Sequence, residues 1–396
     1  MSLKDHKGFR LKQTSRYGER AFLACPSRTE ARALLAELKS ASCRAAPVAP
    51  RSPLVLYGGG DMGRMARDYF ALLGHEIALV VDRNAEALRA DPEWAGITIA
   101  HPDGILPELK QTAQLVLCVA TAPFKPLELE LAAQGWADIV PFYDVAESQR
   151  ARHPLSNGWF ATNMVHADYA ATCEVLDLWG DDLSRAHHLQ FLAWRIAREE
   201  WTFEGAPVES HNRFFISEVI ERIDALASFV DGGAHHGQVS RKFADLRGLR
   251  PASIAAIEPD PANLATFDCD GAEVYPLALG AKADERRFHA GLGYASQLAE
   301  SGKDALRCVT LDSLDLAPDF MKLHLEGGEL AALKGGLETI RQHRPVLAIT
   351  TYHNADGIWR TPAFLMEHLD GYRFLMRVHS WCGTGAVVYA LPEERA

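Results

Sequence analysis

The chain has no apolar run approaching the ~20 residues needed to cross a bilayer; a stretch such as Leu115 to Ala122 is less than half that length. No membrane span is expected. Cysteine is sparse, with seven residues at 25, 43, 118, 173, 269, 308 and 382, and no two form a C-x-x-C pair. An odd number at wide spacing argues against a disulfide framework and a zinc module, so a reduced, cytoplasmic compartment is expected. Basic residues never gather into a run, and 41 Lys and Arg against 52 Asp and Glu leave a net charge of −11. That field repels a polyanion, and nucleic acid is not an expected partner. No apolar segment follows the charged opening Met1 to Lys7, so no leader is read. No repeat with a period of 20–50 residues appears, which sets aside solenoids and propellers. What is present is ordinary globular composition: 396 residues, 48% hydrophobic and 23% charged, enough for two to four domains at ~100–200 residues each.

Patterning divides the chain into four parts. Residues 1–52 read as an N-terminal extension with one helix, Thr29 to Ser40, followed by the breaker stretch Ala46 to Pro53. Over 53–145 short apolar strands (Leu54–Tyr57, Ile77–Val81, Ile97–Ile99, Leu115–Ala120, Ile139–Phe142) alternate with helical patterns, the signature of a parallel sheet covered on both faces. Residues 146–227 carry helical patterns at 166–179 and 183–201 and no convincing strand, and read as a helical linker. From 228 to 396 the alternation restarts, with strands at Phe229–Gly232, Ile254–Ile257, Val274–Leu277, Phe320–Leu325, Val346–Thr351, Phe374–Val378 and Val387–Leu391. The last two form an antiparallel hairpin closing the sheet. Between Gly280 and Leu311 there is extra sequence in which segments around Arg287 and Arg307 pair as added strands. The expected fold is α/β, with two doubly wound Rossmann-like sheets joined by a helical segment.

Each sheet opens with a glycine-rich turn. In the first, Leu54–Tyr57 runs into Gly58, Gly60 and Gly63 at G-x-G-x-x-G spacing, and Asp82 ends the next strand 19 residues further on, where an acid meets a ribose hydroxyl. Asp61 puts a negative charge inside that loop and opposes a phosphate. Three readings stay open: a scaffold without a ligand, a nucleotide or nucleotide-sugar site, and a redox dinucleotide site. In the second turn Asp231 ends a strand and is followed by Gly232, Gly233, Ala234, His235 and Gly237, which is not the dinucleotide spacing. A carboxylate there excludes a pyrophosphate by charge and suits a ligand carrying an ammonium and a sulfonium, as S-adenosylmethionine does. Glu258, 21 residues beyond Gly237 and followed by Pro259, ends the next strand and is placed to accept from both ribose hydroxyls.

The blocks Val230–Ser240, Ile257–Asn263, Val309–Leu314, Met321–Leu330 with Leu333–Gly336, and Arg344–Leu347 together resemble the FkbM-type S-adenosylmethionine-dependent methyltransferases over about 228–392. The resemblance implies a class I methyltransferase fold, S-adenosylmethionine as cofactor, and methyl transfer, most often to a hydroxyl. By position it assigns Asp231, Gly232, Gly233, Ala234, His235, Gly237, Glu258 and Pro259 to the cofactor and sets Ala278 beside the adenine. The family's fourth block usually reads Lys-x-Asp-x-Glu-Gly, and this chain has His324 where that aspartate stands. Histidine is a poorer magnesium ligand and a possible base, so no metal set is assigned, and His324, Glu326 and His353 at strand ends are the candidates for the acceptor's proton. Tyr352 and Trp359 could border the acceptor, and Glu329 could instead cap the helix that follows. Through Gly58–Gly63, Val80–Asn84 and Gly135–Ile139, residues 53–145 resemble Rossmann-type domains found beside sugar-modifying enzymes, which implies a carbohydrate or nucleotide-sugar context; the expected partners are a saccharide or small-molecule acceptor and a nucleotide or nucleotide-sugar at this domain. The alternative is a non-catalytic cofactor-binding or scaffolding protein in polysaccharide biosynthesis. The oligomeric state, a homo-oligomer included, stays open.

Overall fold

The computed structural model describes residues 15–155, 159, 164–293 and 296–395; the charged opening segment, on which the absence of a leader was read, lies outside them. After β1 (Gly18–Phe22), strands β2 (Leu54–Tyr57), β3 (Ile77–Val81), β4 (Ile99–Ala100), β5 (Gln114–Leu117) and β6 (Asp138–Pro141) build the first sheet. Its order is β4-β3-β2-β5-β6, parallel throughout. All four residues of β2 and of β5 are buried, as expected where helices cover both faces and leave no solvent side for a polar alternation.

The stretch read as a helical linker holds a strand. Helix 182–197 starts on Asp181, whose carboxylate accepts from the Ser184 amide, and stops at Arg198 in the left-handed region. The chain then extends into β7 (Glu199–Phe203), which pairs in parallel with β1. Trp201, which continues the helical spacing, therefore lies in a strand. Buried Glu200 accepts from the amides of Phe124 and Lys125 at the start of helix 124–133. Burial raises its carboxyl to about 7.

The second sheet uses β8 (Ser228–Gly232), β9 (Ser253–Ile257) and β10 (Glu273–Tyr275). The insertion follows as β11 (Ala278–Leu279), β12 (Asp284–His289), β13 (Gln297–Leu298) and β14 (Asp304–Val309). The sheet then continues through β15 (Phe320–Leu323), β16 (Val346–Thr350), β17 (Tyr372–Val378) and β18 (Ala386–Pro392). The order is β10-β9-β8-β15-β16-β18-β17, with β18 antiparallel to both neighbours. The insertion's strands do pair, Asp284 opposite Cys308 through Phe288 opposite Asp304, but as a separate four-stranded sheet rather than as an extension of the main one.

One apolar core runs from the first sheet through helix 182–197 into the second. Polar ties reinforce it: the fully buried Arg198 and Asp144 lie 3.2 Å apart, and the Trp381 amide, in the hairpin between β17 and β18, donates to the Ala120 carbonyl just beyond β5. The carboxyl end of the first sheet thus faces that of the second. Among the described residues no helix is long and apolar enough to cross a membrane.

Candidate active site

The cofactor-type cleft forms at the switch point between β8 and β15, where the strand order reverses and the loops after adjacent strands part. Gly233 sits at φ +74°, and a Cβ there would come within 1.9 Å of the His324 carbonyl oxygen, so only glycine lets the two loops touch. Lys322, the register partner of Asp231 across β15 and β8, donates from Nζ to Asp231 Oδ1 at 2.7 Å and to the Gly233 carbonyl at 2.6 Å. Ser240 Oγ donates to the other Asp231 oxygen. Asp231 is fully buried and does not line the cleft. The expectation that its charge meets the ligand's ammonium is corrected accordingly: the charge is already neutralised by Lys322, and the pair shapes the loop.

Glu258 does reach the cleft. Its Oε2 accepts from the His235 amide and its Oε1 from the Asp260 amide and Asn263 Nδ2. Burial raises its carboxyl pKa, while these donors oppose the rise. Gly233, Ala234, His235, Pro259 and Ala278 line the same cleft, whereas Gly232 and Gly237 lie behind it, packed on Leu323 and Phe267.

A second cleft of about 470 Å³ opens between the two sheets, lined by Asp61, Met62, Met65, Ala120 and Tyr143 on one side and by Arg213, Phe214, Tyr352 and His353 on the other. His324 and Glu326, together with Gln238 and Val239, line both clefts and mark where they meet. His324 Nε2 lies 3.0 Å from Glu326 Oε1 and 3.2 Å from Tyr352 Oη, and Tyr352 Oη accepts from Arg213. His353 Nε2 is 3.2 Å from the same Glu326 oxygen, and its Nδ1 is 2.7 Å from Glu329 Oε1. Glu329 does not cap its own helix; it accepts from the amides of Leu325 and Gly327 and from Thr350 Oγ1.

These neighbours set the protonation states. Burial, helped by Arg213 and His353, holds His324 neutral down to about 3 in spite of Glu326. His324 is therefore neutral and only weakly basic in this site. Burial disfavours the charged forms of Glu326, Glu329 and His353 as well, but their mutual attraction outweighs it, leaving both carboxyls lowered and His353 raised. The structure also brings together what the sequence did not assign: ligand atoms of His324, Glu326 and His353 all lie within 4.8 Å of one another.

The first glycine turn is built for close packing. Gly58 is at φ +101°, and a Cβ on Gly63 would meet the Gly58 carbonyl oxygen at 2.2 Å. Asp82 accepts from the amides of Gly59 and Asn84, so its carboxylate is used within the turn. Gly58, Gly60, Gly63 and Asp82 are not among the residues lining the second cleft, while Asp61 and Met62 are. Trp359 is buried with its indole donating to Asp168, away from the cleft. Arg213 was missed because it comes from an aperiodic stretch of the linker, and Lys322 because only the strand pairing sets it beside Asp231.

Residues 231–376 match the model of the methyltransferase FkbM domain, and this segment is an FkbM-family methyltransferase domain. Among solved structures, the chain is similar to a methyltransferase FkbM from Methylobacillus flagellatus KT, at a TM-score of 0.55 and 17% identity, over 93% of this chain and 94% of that one. At that identity the likeness shows the fold. No curated protein matches the chain.

Proposed function

We propose that the protein is an S-adenosylmethionine-dependent O-methyltransferase whose acceptor, a saccharide or similar hydroxyl-bearing small molecule, binds between the two sheets. One observation carries this reading: the cofactor-type cleft and the larger cleft meet at His324 and Glu326, which line both. Methyl transfer is an in-line displacement, so the acceptor oxygen must approach from the side opposite the departing sulfur. Two clefts meeting at one point supply that geometry. As the O–CH3 bond forms and the S–CH3 bond breaks, its electron pair returns to sulfur, and the acceptor becomes an acidic oxonium that passes its proton to His324 Nε2 or to water. A weakly basic imidazole suffices for so acidic a proton, and Glu326 at 3.0 Å stabilises the resulting charge.

The acceptor class is supported by the cleft's lining, where Tyr143, Trp159 and Tyr352 offer aromatic faces beside the polar tips of His211, Arg213, Ser380 and Thr384. The first sheet, in this reading, supplies a wall of the acceptor site. The test is mass-spectrometric detection of S-adenosylhomocysteine and of methylated product with a panel of glycans and nucleotide-sugars. Product is expected for at least one hydroxylated acceptor. Tight cofactor binding without turnover across the panel would instead support the scaffolding alternative.

A further inference from the structure

We propose that His324, Glu326 and His353 bind a divalent transition-metal ion at the junction of the two clefts, with a face left open to the acceptor. The binding stands on the side chains alone; the ion's use in presenting an acceptor oxygen rests on the methyltransferase reading above, and with the His324 lone pair on the ion the acceptor's proton passes to water.

The ligand atoms come from the ends of two adjacent parallel strands, β15 and β16, and lie within 4.8 Å of one another. His353 is 2% exposed, and its Nδ1 is 2.7 Å from Glu329 Oε1. This contact directs Nε2 toward Glu326 Oε1, 3.2 Å away. A carboxylate behind an imidazole, fixing its tautomer and orientation, is the support that metal-binding histidines usually have. Glu329 is itself held by the Leu325 and Gly327 amides and by Thr350 Oγ1.

Backbone geometry points the same way. Glu326 adopts a left-handed φ of +49°, followed by Gly327 at +102°, and this turn folds the carboxylate back between the two imidazoles. A non-glycine residue in this region carries a conformational cost that is commonly found at functional sites.

The donor set selects the ion. Two imidazoles and one carboxylate suit Fe²⁺, Co²⁺ or Zn²⁺, while Mg²⁺ prefers oxygen ligands and water. Three protein ligands leave coordination positions for water or substrate. Two carboxylates, Glu326 and Glu329, stand on one side of the site, and on the other the Arg213 guanidinium is engaged by Tyr352 Oη at 2.8 Å.

The test uses the full chain, stripped by a chelator and titrated with Co²⁺ alone, reading visible ligand-field absorption. One equivalent is expected, undisturbed by excess Mg²⁺. His324→Asn and His353→Gln should each weaken binding at least ~10-fold, and Glu329→Gln, which removes only the supporting carboxylate, should weaken it ~10–100-fold. Thermal melts of each variant establish folding, and Glu326→Gln, nearly isosteric, serves where a histidine variant does not fold. No ligand-field band in the wild type, or unchanged affinity in folded His324→Asn and His353→Gln, overturns the site. Cobalt binding without methyl transfer refutes the proposed reaction and leaves the site standing; methyl transfer by a chain that binds no cobalt does the reverse.

Discussion

Replacing Lys322 by Met removes the cation that neutralises Asp231 while keeping most of the side chain's volume. Both groups are essentially excluded from water, at 2% and 0% exposure, so solvent cannot take over the role of the ammonium. Breaking a buried pair by removing one partner costs about 3–5 kcal/mol, because the remaining charge is left uncompensated. Ser240 continues to donate to Asp231, but the Gly233 carbonyl also loses its 2.6 Å donor. Lys322→Met should therefore lose about 3–5 kcal/mol in denaturant titrations followed by tryptophan fluorescence, a large share of the ~5–15 kcal/mol that a typical domain has. The double variant Lys322→Met/Asp231→Asn removes the stranded charge and should be more stable than Lys322→Met alone, giving a coupling energy above ~2 kcal/mol in the cycle. Because Asp231 faces Lys322 and not the ligand, the double variant should bind S-adenosylmethionine within about tenfold, or 1.4 kcal/mol, of the wild type. Additive single losses would refute the buried pairing. A loss of cofactor affinity far beyond tenfold in a folded double variant would return Asp231 to the ligand.

Glu258→Ala should weaken S-adenosylmethionine binding by about 1.5–3 kcal/mol in titration calorimetry, since a charged acceptor at the cleft wall is removed; unchanged affinity removes Glu258 from the ribose site. His324→Ala should lower turnover with nearly unchanged cofactor affinity, and the wild-type rate should show no inflection near 6.5 from His324, which burial keeps neutral down to about 3; an inflection near 6.5 that is lost in His324→Ala would contradict this. Stability should begin to fall below about pH 6.5 and should fall more steeply below about pH 4.5. His188, His324 and His379, held neutral down to about 3 by burial, protonate near ~6.5 once unfolded, so each contributes stability that is lost as pH drops, at about 1.4 kcal/mol per unit. Glu200, raised to about 7, binds its proton first in the folded chain and offsets about one of the three histidines down to the ordinary carboxyl range; below it, the lowered Glu326 and Glu329 add to the histidines. A thermal midpoint unchanged between pH 7 and pH 4 would contradict the accounting.

The strands of both sheets were legible because they are buried on both faces and read as short apolar runs, Leu54–Tyr57 and Val346–Thr350 among them. β7 was not, because Glu199-Glu-Trp-Thr-Phe203 continues the preceding helical spacing and the helix ends at Arg198 without a glycine or proline to mark it. His324, Glu326 and His353 were legible as strand-end residues, since parallel strands present their carboxyl ends to a common crevice. Their meeting at one oxygen was not, because it depends on the left-handed turn at Glu326. Asp231 misled for a similar reason: the sequence shows an acid in a glycine loop, whereas the register of β8 against β15 shows which cation it meets. Arg213 gave no periodic or motif signal, and it reaches the site only because the linker folds back over Tyr352.

The central claim, that cofactor and acceptor meet at His324 and Glu326, is tested most directly by a crystal structure of the full chain with S-adenosylhomocysteine. The ribose is expected on Glu258, with the sulfur facing His324 and Glu326 at the mouth of the cleft between the sheets. A ligand bound elsewhere, or one whose sulfur turns away from that junction, would contradict it.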